Sequence, residues 1–345
     1  MDAEKHDCVT MPKFNNFRGT FPSTRLRRMR QSEWSRNLIR ENHLSPADFI
    51  WPIFIREENI DPVITAMPGV VRLTIKEAVL EIKEAVKLGI NAVALFPCVD
   101  ASLKSDEAKE ALNPDNLICR ALREIRAAHP DIGLIADVAL DPYTTHGHDG
   151  VVINGHVAND PSVEILCQQA VLLAKAGAKS VAPSDMMDGR IGCIREALDQ
   201  EGFSDTCIFS YAVKYASAFY GPFRNALGSD KTLGKQSKAS YQLDPANMDE
   251  AMREIALDIQ EGADTVIIKP GLPYLDVIRE CHHQFSCPIH AYQVSGEYSM
   301  LKAAAQQGFL DFEKSLLESL IAFKRAGACG IWTYAALEAA KLLGK

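Results

Sequence analysis

No apolar run in this chain approaches the roughly 20 residues that a bilayer-spanning helix needs, and its start has no apolar stretch of the secretory-signal kind. None of its nine cysteines forms a C-x-x-C pair, so neither a zinc ribbon nor a dithiol redox motif is signalled. Positive charge is in deficit. Lys and Arg number 37 against 45 Asp and Glu, and the net charge of −8 argues against nucleic acid or an anionic membrane as the main partner. No G-x-G-x-x-G or P-loop follows any strand-like run, which removes the main cue for a nucleotide-binding open sheet. Together these absences predict a protein of the reducing cytoplasm, with no nucleic-acid and no membrane partner.

What is present is a core-forming composition over 345 residues, 47% apolar and 24% charged. Residues 1–35 are polar with a basic cluster at Arg25, Arg27, Arg28 and Arg30, and read either as a solvated tail or as an arm gripping a neighbouring subunit. From about residue 36 a rhythm sets in. Strand-like runs fall at 49–55, 92–97, 133–138, 180–183, 207–212, 265–269, 289–294 and 330–334. Helical patterns fall between them at 74–87, 117–128, 162–176, 248–261, 275–281, 297–307 and 312–326. Several helices close on Gly-Ala before the next strand, the joint of a βα unit. Eight such units predict a (β/α)8 TIM barrel over 36–345, with an N-terminal arm over 1–35 and the active site at the carboxyl ends of the strands. In that frame Cys98, Cys207 and Cys329, in or beside strands, are expected to be small buried hydrophobes.

The strand ends carry chemistry. Thr265-Val-Ile-Ile-Lys-Pro-Gly271 is a buried-strand pattern that delivers Lys269 at its end, and Ser210-Tyr-Ala-Val-Lys-Tyr-Ala-Ser217 delivers Lys214. Burial favours a neutral amine, the form that attacks a carbonyl to make a Schiff base. A single lysine at a strand end is more often a rim salt-bridge partner, but two suggest two carbonyl substrates. The other rims supply Asp137, Asp141, His146, His148 and Asp149; then Ser184, Asp185 and Asp188; then Ser295 with Glu297; and finally Thr333 with Tyr334. The stretch 141–150 has Asp and His at a density that would hold a hard cation or make a hydrogen-bonded turn. The connection from Tyr220 to Asp244 carries Arg224, Lys231, Lys235 and Lys238 with Gly221, Gly228 and Gly234. It is too long for an ordinary βα loop, and reads as a basic lid at about 221–244 or as a solvated insertion. A class I aldolase-like barrel needs only one amine, and a non-catalytic barrel scaffold needs neither; both are the alternatives.

Four of these motifs carry a family resemblance. Ser210-Tyr-Ala-Val-Lys-Tyr-Ala-Ser-Ala-Phe-Tyr-Gly-Pro-Phe-Arg224, Val181-Ala-Pro-Ser-Asp-Met-Met-Asp-Gly-Arg190, Ile268-Lys-Pro-Gly-Leu-Pro-Tyr-Leu-Asp276 and Tyr292-Gln-Val-Ser-Gly-Glu-Tyr298 resemble the 5-aminolevulinate dehydratase (porphobilinogen synthase) family. The resemblance implies a homo-octamer of barrels whose arms wrap neighbours. It implies a reaction that joins two molecules of 5-aminolevulinate into porphobilinogen, an early step toward tetrapyrroles and heme. By the same resemblance Lys269 forms the Schiff base with the propionate-side substrate, and Lys214 serves the acetate-side one. Arg224 and Lys238 are implied to hold the acetate-side carboxylate, Ser295 and Tyr334 the propionate-side carboxylate, Asp137 and Ser184 the amino group, and Gln242 belongs to the lid. Where zinc-dependent members carry three cysteines this chain has Ala139, Asp141 and Asp149, so a catalytic zinc is not expected. The resemblance is to the magnesium- or potassium-responsive branch. Asp141 and Asp149 are then candidates for an active-site monovalent cation, and Glu254 for an allosteric magnesium.

Overall fold

Eight runs of β-branched and apolar residues form parallel strands in the computed structural model, which describes residues 19–227 and 237–344. They are β1 (Phe49–Ile55), β2 (Ala92–Pro97), β3 (Gly133–Val138), β4 (Ser180–Pro183), β5 (Cys207–Lys214), β6 (Thr265–Lys269), β7 (Ile289–Gln293) and β8 (Gly330–Thr333). Neighbours in sequence are neighbours in space, and β8 returns to β1 through Phe49↔Ile331 and Ile50↔Trp332, closing the barrel. The helices are α1 (Ile75–Lys87), α2 (Leu117–Ala128), α3 (Asn159–Lys175), α4 (Arg190–Gln200), α5 (Gly221–Leu227), α6 (Asp249–Glu261), α7 (Leu275–Gln284), α8 (Ser295–Gln306), α9 (Phe312–Ala326) and α10 (Ala336–Leu343). The (β/α)8 fold read from the sequence is the fold observed. Strands β4, β6, β7 and β8 are buried at every position, as a strand between barrel interior and helix ring must be.

Local chemistry sets the joints. Thr74 caps α1 by accepting from the Glu77 N–H, and Glu77 accepts back from the Thr74 N–H at 2.7 Å. Gly262, which ends α6, has a φ of 108°, a conformation that a side chain resists. Some elements depart from the sequence reading. Strand β5 runs on to Lys214, past the expected stop at 212, and carries an irregularity against β6 between Ser210 and Val213. That extra residue is a β-bulge, and it brings Lys214 level with Lys269. Strand β7 ends at Gln293, so Ser295 opens α8 instead of closing a strand. Helices α4, α5 and α10 were not anticipated. Cys98 is buried as expected, but Cys207 and Cys329 are exposed, because they stand at or before the amino ends of β5 and β8, where the barrel opens.

The chain divides into two units, Met1–Asn42 and His43–Lys345. The described part of the first holds a 3-10 turn, Leu26–Arg30, and a short helix, Glu33–Leu38. Phe21, Trp34 and Leu38 are exposed there, at 75%, 69% and 73%. Lys231, Lys235, Gly228 and Gly234 of the expected lid lie outside the described residues.

Candidate active site

Lys269 is the last residue of a wholly buried strand. Its Nζ sits 4.5 Å from the ring centre of Tyr292, 4.9 Å from Tyr211, 5.1 Å from Phe223 and 5.5 Å from Tyr220. Loss of water, and next the neighbouring charge of Lys214, push its ammonium down to about 7, against the pull of Asp137, Asp141 and Asp149. Its carbonyl accepts from the Tyr215 N–H at 3.1 Å and the Tyr220 hydroxyl at 3.2 Å, which fixes the backbone beneath the amine.

Lys214 stands beside it in register. Its Nζ donates to the Ser184 carbonyl oxygen and lies 3.6 Å from Asp149 Oδ1. Asp137, on β3, has a buried Oδ1 with no hydrogen-bond partner. Burial, then repulsion from Asp141, raises its carboxyl to about 7, although Lys214 and Lys269 pull the other way. Lys238 bridges Asp141 at 3.0 Å and Asp149 at 2.8 Å. Burial opposes that ammonium, but the two carboxylates outweigh it and raise its pKa. For Asp149 burial is likewise overcome: Lys214 and Lys238 hold it down at about 2. Lys214, Asp149, Lys238 and Asp141 thus form an alternating ionic chain along one rim.

Asp137, Asp141, Ser184, Lys214, Arg224, Lys238, Gln242 and Lys269 line one cavity, closed by Phe96, Tyr220 and Phe223. At about 30 Å³ it has room for about one water. Ser295 and Tyr334 are not on its lining. Ser295 Oγ accepts from the Phe223 N–H at 2.9 Å, and the Tyr334 hydroxyl lies 3.2 Å from that of Tyr292. Both therefore touch residues of the Lys269 cage, Ser295 through the Phe223 backbone and Tyr334 through the Tyr292 hydroxyl. A larger cavity of about 390 Å³, between α3 and α4 and lined by Cys167, Val171 and Ala197, contains none of the expected site residues.

Among the described residues no three His, Cys, Asp or Glu side chains converge on a metal position. At the loop after β3, the Asp141 and Asp149 carboxylates share the Lys238 ammonium. His146 and His148 serve the turn: His146 Nδ1 accepts from the His148 N–H, and His148 Nδ1 meets the Tyr241 hydroxyl at 3.1 Å. Glu254, on α6, lies elsewhere. With Asp188, Glu250, Tyr241 and Gln242 it lines a cavity of about 340 Å³. Burial raises the Glu254 carboxyl against the attraction of Arg190, with Asp258, Asp188 and Glu250 adding repulsion. Three carboxylates around a roomy cavity suit a hydrated divalent ion better than a directly ligated one.

Sequence reasoning did not assign the ring cage. Tyr211, Tyr220, Phe223 and Tyr292 all stand inside the quoted motifs, which is the signal that could have marked them. It also left Glu297 and Arg190 without roles.

Two buried lysines level with each other at neighbouring strand ends, in one cavity with a buried carboxyl, place the chain in the class of Schiff-base-forming (β/α)8 enzymes. The model of the family described as delta-aminolevulinic acid dehydratase matches residues 23–342, and the chain belongs to that family. Delta-aminolevulinic acid dehydratase of Bradyrhizobium diazoefficiens is 54% identical over 92% of this chain and 90% of its own length. That of Rhodobacter capsulatus is 49% identical over 94% and 98%. A crystal structure of the Toxoplasma gondii enzyme, porphobilinogen synthase, in complex with its product porphobilinogen, superposes with a TM-score of 0.90 at 50% identity, covering 92% of this chain and 91% of that one.

Proposed function

We infer that this chain carries out its family's reaction, in which two molecules of 5-aminolevulinate join to give porphobilinogen with loss of two waters. The observation that carries the assignment of roles is the pairing of Lys214 and Lys269 in one cavity. The neutral Lys269 amine adds to the ketone carbon of one substrate, the ketone oxygen leaves as water, and a Schiff base remains. Lys214 does the same for, or assists, the second substrate. Asp137, a buried carboxyl poised near neutrality beside both amines, supplies and recovers the proton. Closing the ring between the two substrates expels both lysines, so the net loss is two waters.

Arg224 and Lys238 bind the acetate-side carboxylate with Gln242 beside them in the lid, Ser295 and Tyr334 bind the propionate-side one, and Asp137 with Ser184 the amino group. The cavity is far too small for two substrates, so their entry requires the segment bearing Lys238 and Gln242 to move. A carboxylate arriving at Lys238 would exchange with Asp141 and Asp149. We assign Glu254, with Glu250 and Asp188, to an allosteric magnesium, and the Asp141–Asp149 pair to a single positive charge, here the Lys238 ammonium in place of a potassium or sodium ion. The exposed Phe21 and Trp34 of the arm, with Leu38 just past it, fit a subunit contact in a homo-octamer. All eight described cysteines are free, in keeping with a reducing cytoplasm.

Borohydride reduction in the presence of 5-aminolevulinate, followed by peptide mass spectrometry, tests the assignment. Adducts are expected on Lys269 and Lys214, with porphobilinogen formed in the unreduced sample. An adduct on Lys269 alone with no pyrrole would return the aldolase-like reading. Absence of adduct and product together would return the scaffold.

A further inference from the structure

Glu297 stands in the first turn of α8 and is fully buried. Its carboxylate is held by backbone alone. Oε1 accepts from the Leu272 N–H at 2.7 Å, and Oε2 from the Val294 N–H at 2.7 Å and the Gly271 N–H at 3.3 Å. A carboxylate in a helix's first turn ordinarily reaches back to its own cap. Here only the Val294 bond does so. The other two go to the exit of β6, two and three residues past Lys269. One side chain thus ties the end of β6 to the end of β7.

The same turn also holds the cage. Ser295 Oγ accepts from the Phe223 N–H at 2.9 Å and donates to the Phe219 carbonyl at 3.4 Å. A Cβ on Gly296 would come within 2.5 Å of the Phe219 carbonyl oxygen, and one on Gly271 within 2.4 Å of the Phe323 ring. Neither glycine leaves slack at the crossing. Tyr220 and Phe223, two rings around the Lys269 amine, hang from the segment that Ser295 grips.

We propose that Glu297 is a positioning residue for Lys269: its carboxylate clamps the Lys269–Leu272 exit against α8, so that the amine and the rings around it meet at one point in the cavity. The proposal rests on Lys269 being the Schiff-base lysine. Glu297→Gln replaces one acceptor oxygen with an amide that faces an N–H, so at least one clamp bond is lost. Glu297→Asp keeps both oxygens but withdraws them by one methylene.

The test compares the unaltered chain with both variants for kcat, KM, the separate rates of borohydride-trapped adduct at Lys269 and Lys214, and thermal unfolding. For E297Q the expected result is a fall in kcat of about tenfold or more with little change in KM, and a matching slowing at Lys269. The Lys214 adduct should form at its usual rate, and E297D should fall in between. Two results overturn the proposal: an E297Q chain that traps Lys269 at the unaltered rate, or adducts at both lysines that fall together in step with the folded fraction. Should E297Q fail to fold, the same comparison is read on E297D. If the unaltered chain gives no Lys269 adduct, the Schiff-base reading itself fails and the clamp falls with it.

Discussion

At the scale of the residue, the central quantity is the fraction of Lys269 that is neutral. An ordinary lysine, near 10.4, is neutral at pH 7 in only one molecule in ~10³, whereas one at about 7 is neutral in half. Burial and the Lys214 charge thus raise the share of nucleophilic amine well above that of an ordinary lysine before any substrate binds. The sign for catalysis follows. Below about pH 7 Lys269 is an ammonium and inert, so kcat/KM should climb with pH through that region. Asp137, raised to about 7, must hold its proton to deliver it, so the profile should turn down on the alkaline side. Asp137→Asn should abolish the alkaline limb and move the acid limb to lower pH, because the Asp137 charge that favours the Lys269 ammonium is gone. An unchanged alkaline limb in that variant would remove Asp137 from proton transfer. The two lysines were legible in the sequence because each interrupts an apolar run at its end. The rings around Lys269 were not, because Tyr211, Tyr220, Phe223 and Tyr292 come from two strands and a helical connection, and only closure of the barrel gathers them.

At the scale of the element, strand boundaries were legible where glycine or proline bounded a β-branched run, as at Thr265–Lys269. They failed where a bulge changed the count. Nothing in Ser210-Tyr-Ala-Val announces that β5 takes an extra residue there, yet that residue brings Lys214 level with Lys269. The bulge has a buried anchor. Arg190 Nη2, on α4, donates to the Tyr211 carbonyl at 3.2 Å and pairs with Asp258 at 3.3 Å, while Ser210 Oγ donates to the same Asp258 oxygen at 2.5 Å. Helix α4 itself escaped notice, because its buried stripe (Ile191, Ile194 and Leu198) is narrow. Asp258 resembled any carboxylate on an amphipathic helix. Removing it leaves the Arg190 guanidinium buried with its main partner gone, so Asp258→Ala should cost about 3–5 kcal/mol in denaturant unfolding. A loss below about 1 kcal/mol, as an exposed pair would give, would show that Arg190 is adequately satisfied without it.

At the scale of the whole molecule, the barrel separates its tasks by end and by side. The amines, carboxyls and rings lie at the carboxyl ends of the strands, while Cys207 and Cys329 stand at the opposite ends. On the active rim Lys238 lies on the carboxylates of both Asp141 and Asp149. A divalent ion there would have to displace a buried ammonium from two partners, so chelation should leave activity largely in place. The Glu254 cavity presents the reverse situation, since its carboxylates repel one another and a divalent ion would relieve that strain. Tyr241 and Gln242 line this cavity too, and Gln242 also lines the active one. The Tyr241 hydroxyl further accepts from the Asp149 N–H at 3.3 Å, which would give an ion at Glu254 a short path to the active rim. Porphobilinogen formation after chelation should therefore persist and rise when magnesium is returned. In Glu254→Ala the ratio of activity with and without magnesium should drop toward one, while the Lys269 and Lys214 adducts still form. Activity restored by zinc alone would show that thiol-free Asp141 and Asp149 hold a catalytic metal after all, with Lys238 displaced. An unaltered magnesium response in Glu254→Ala would place the ion elsewhere on the chain.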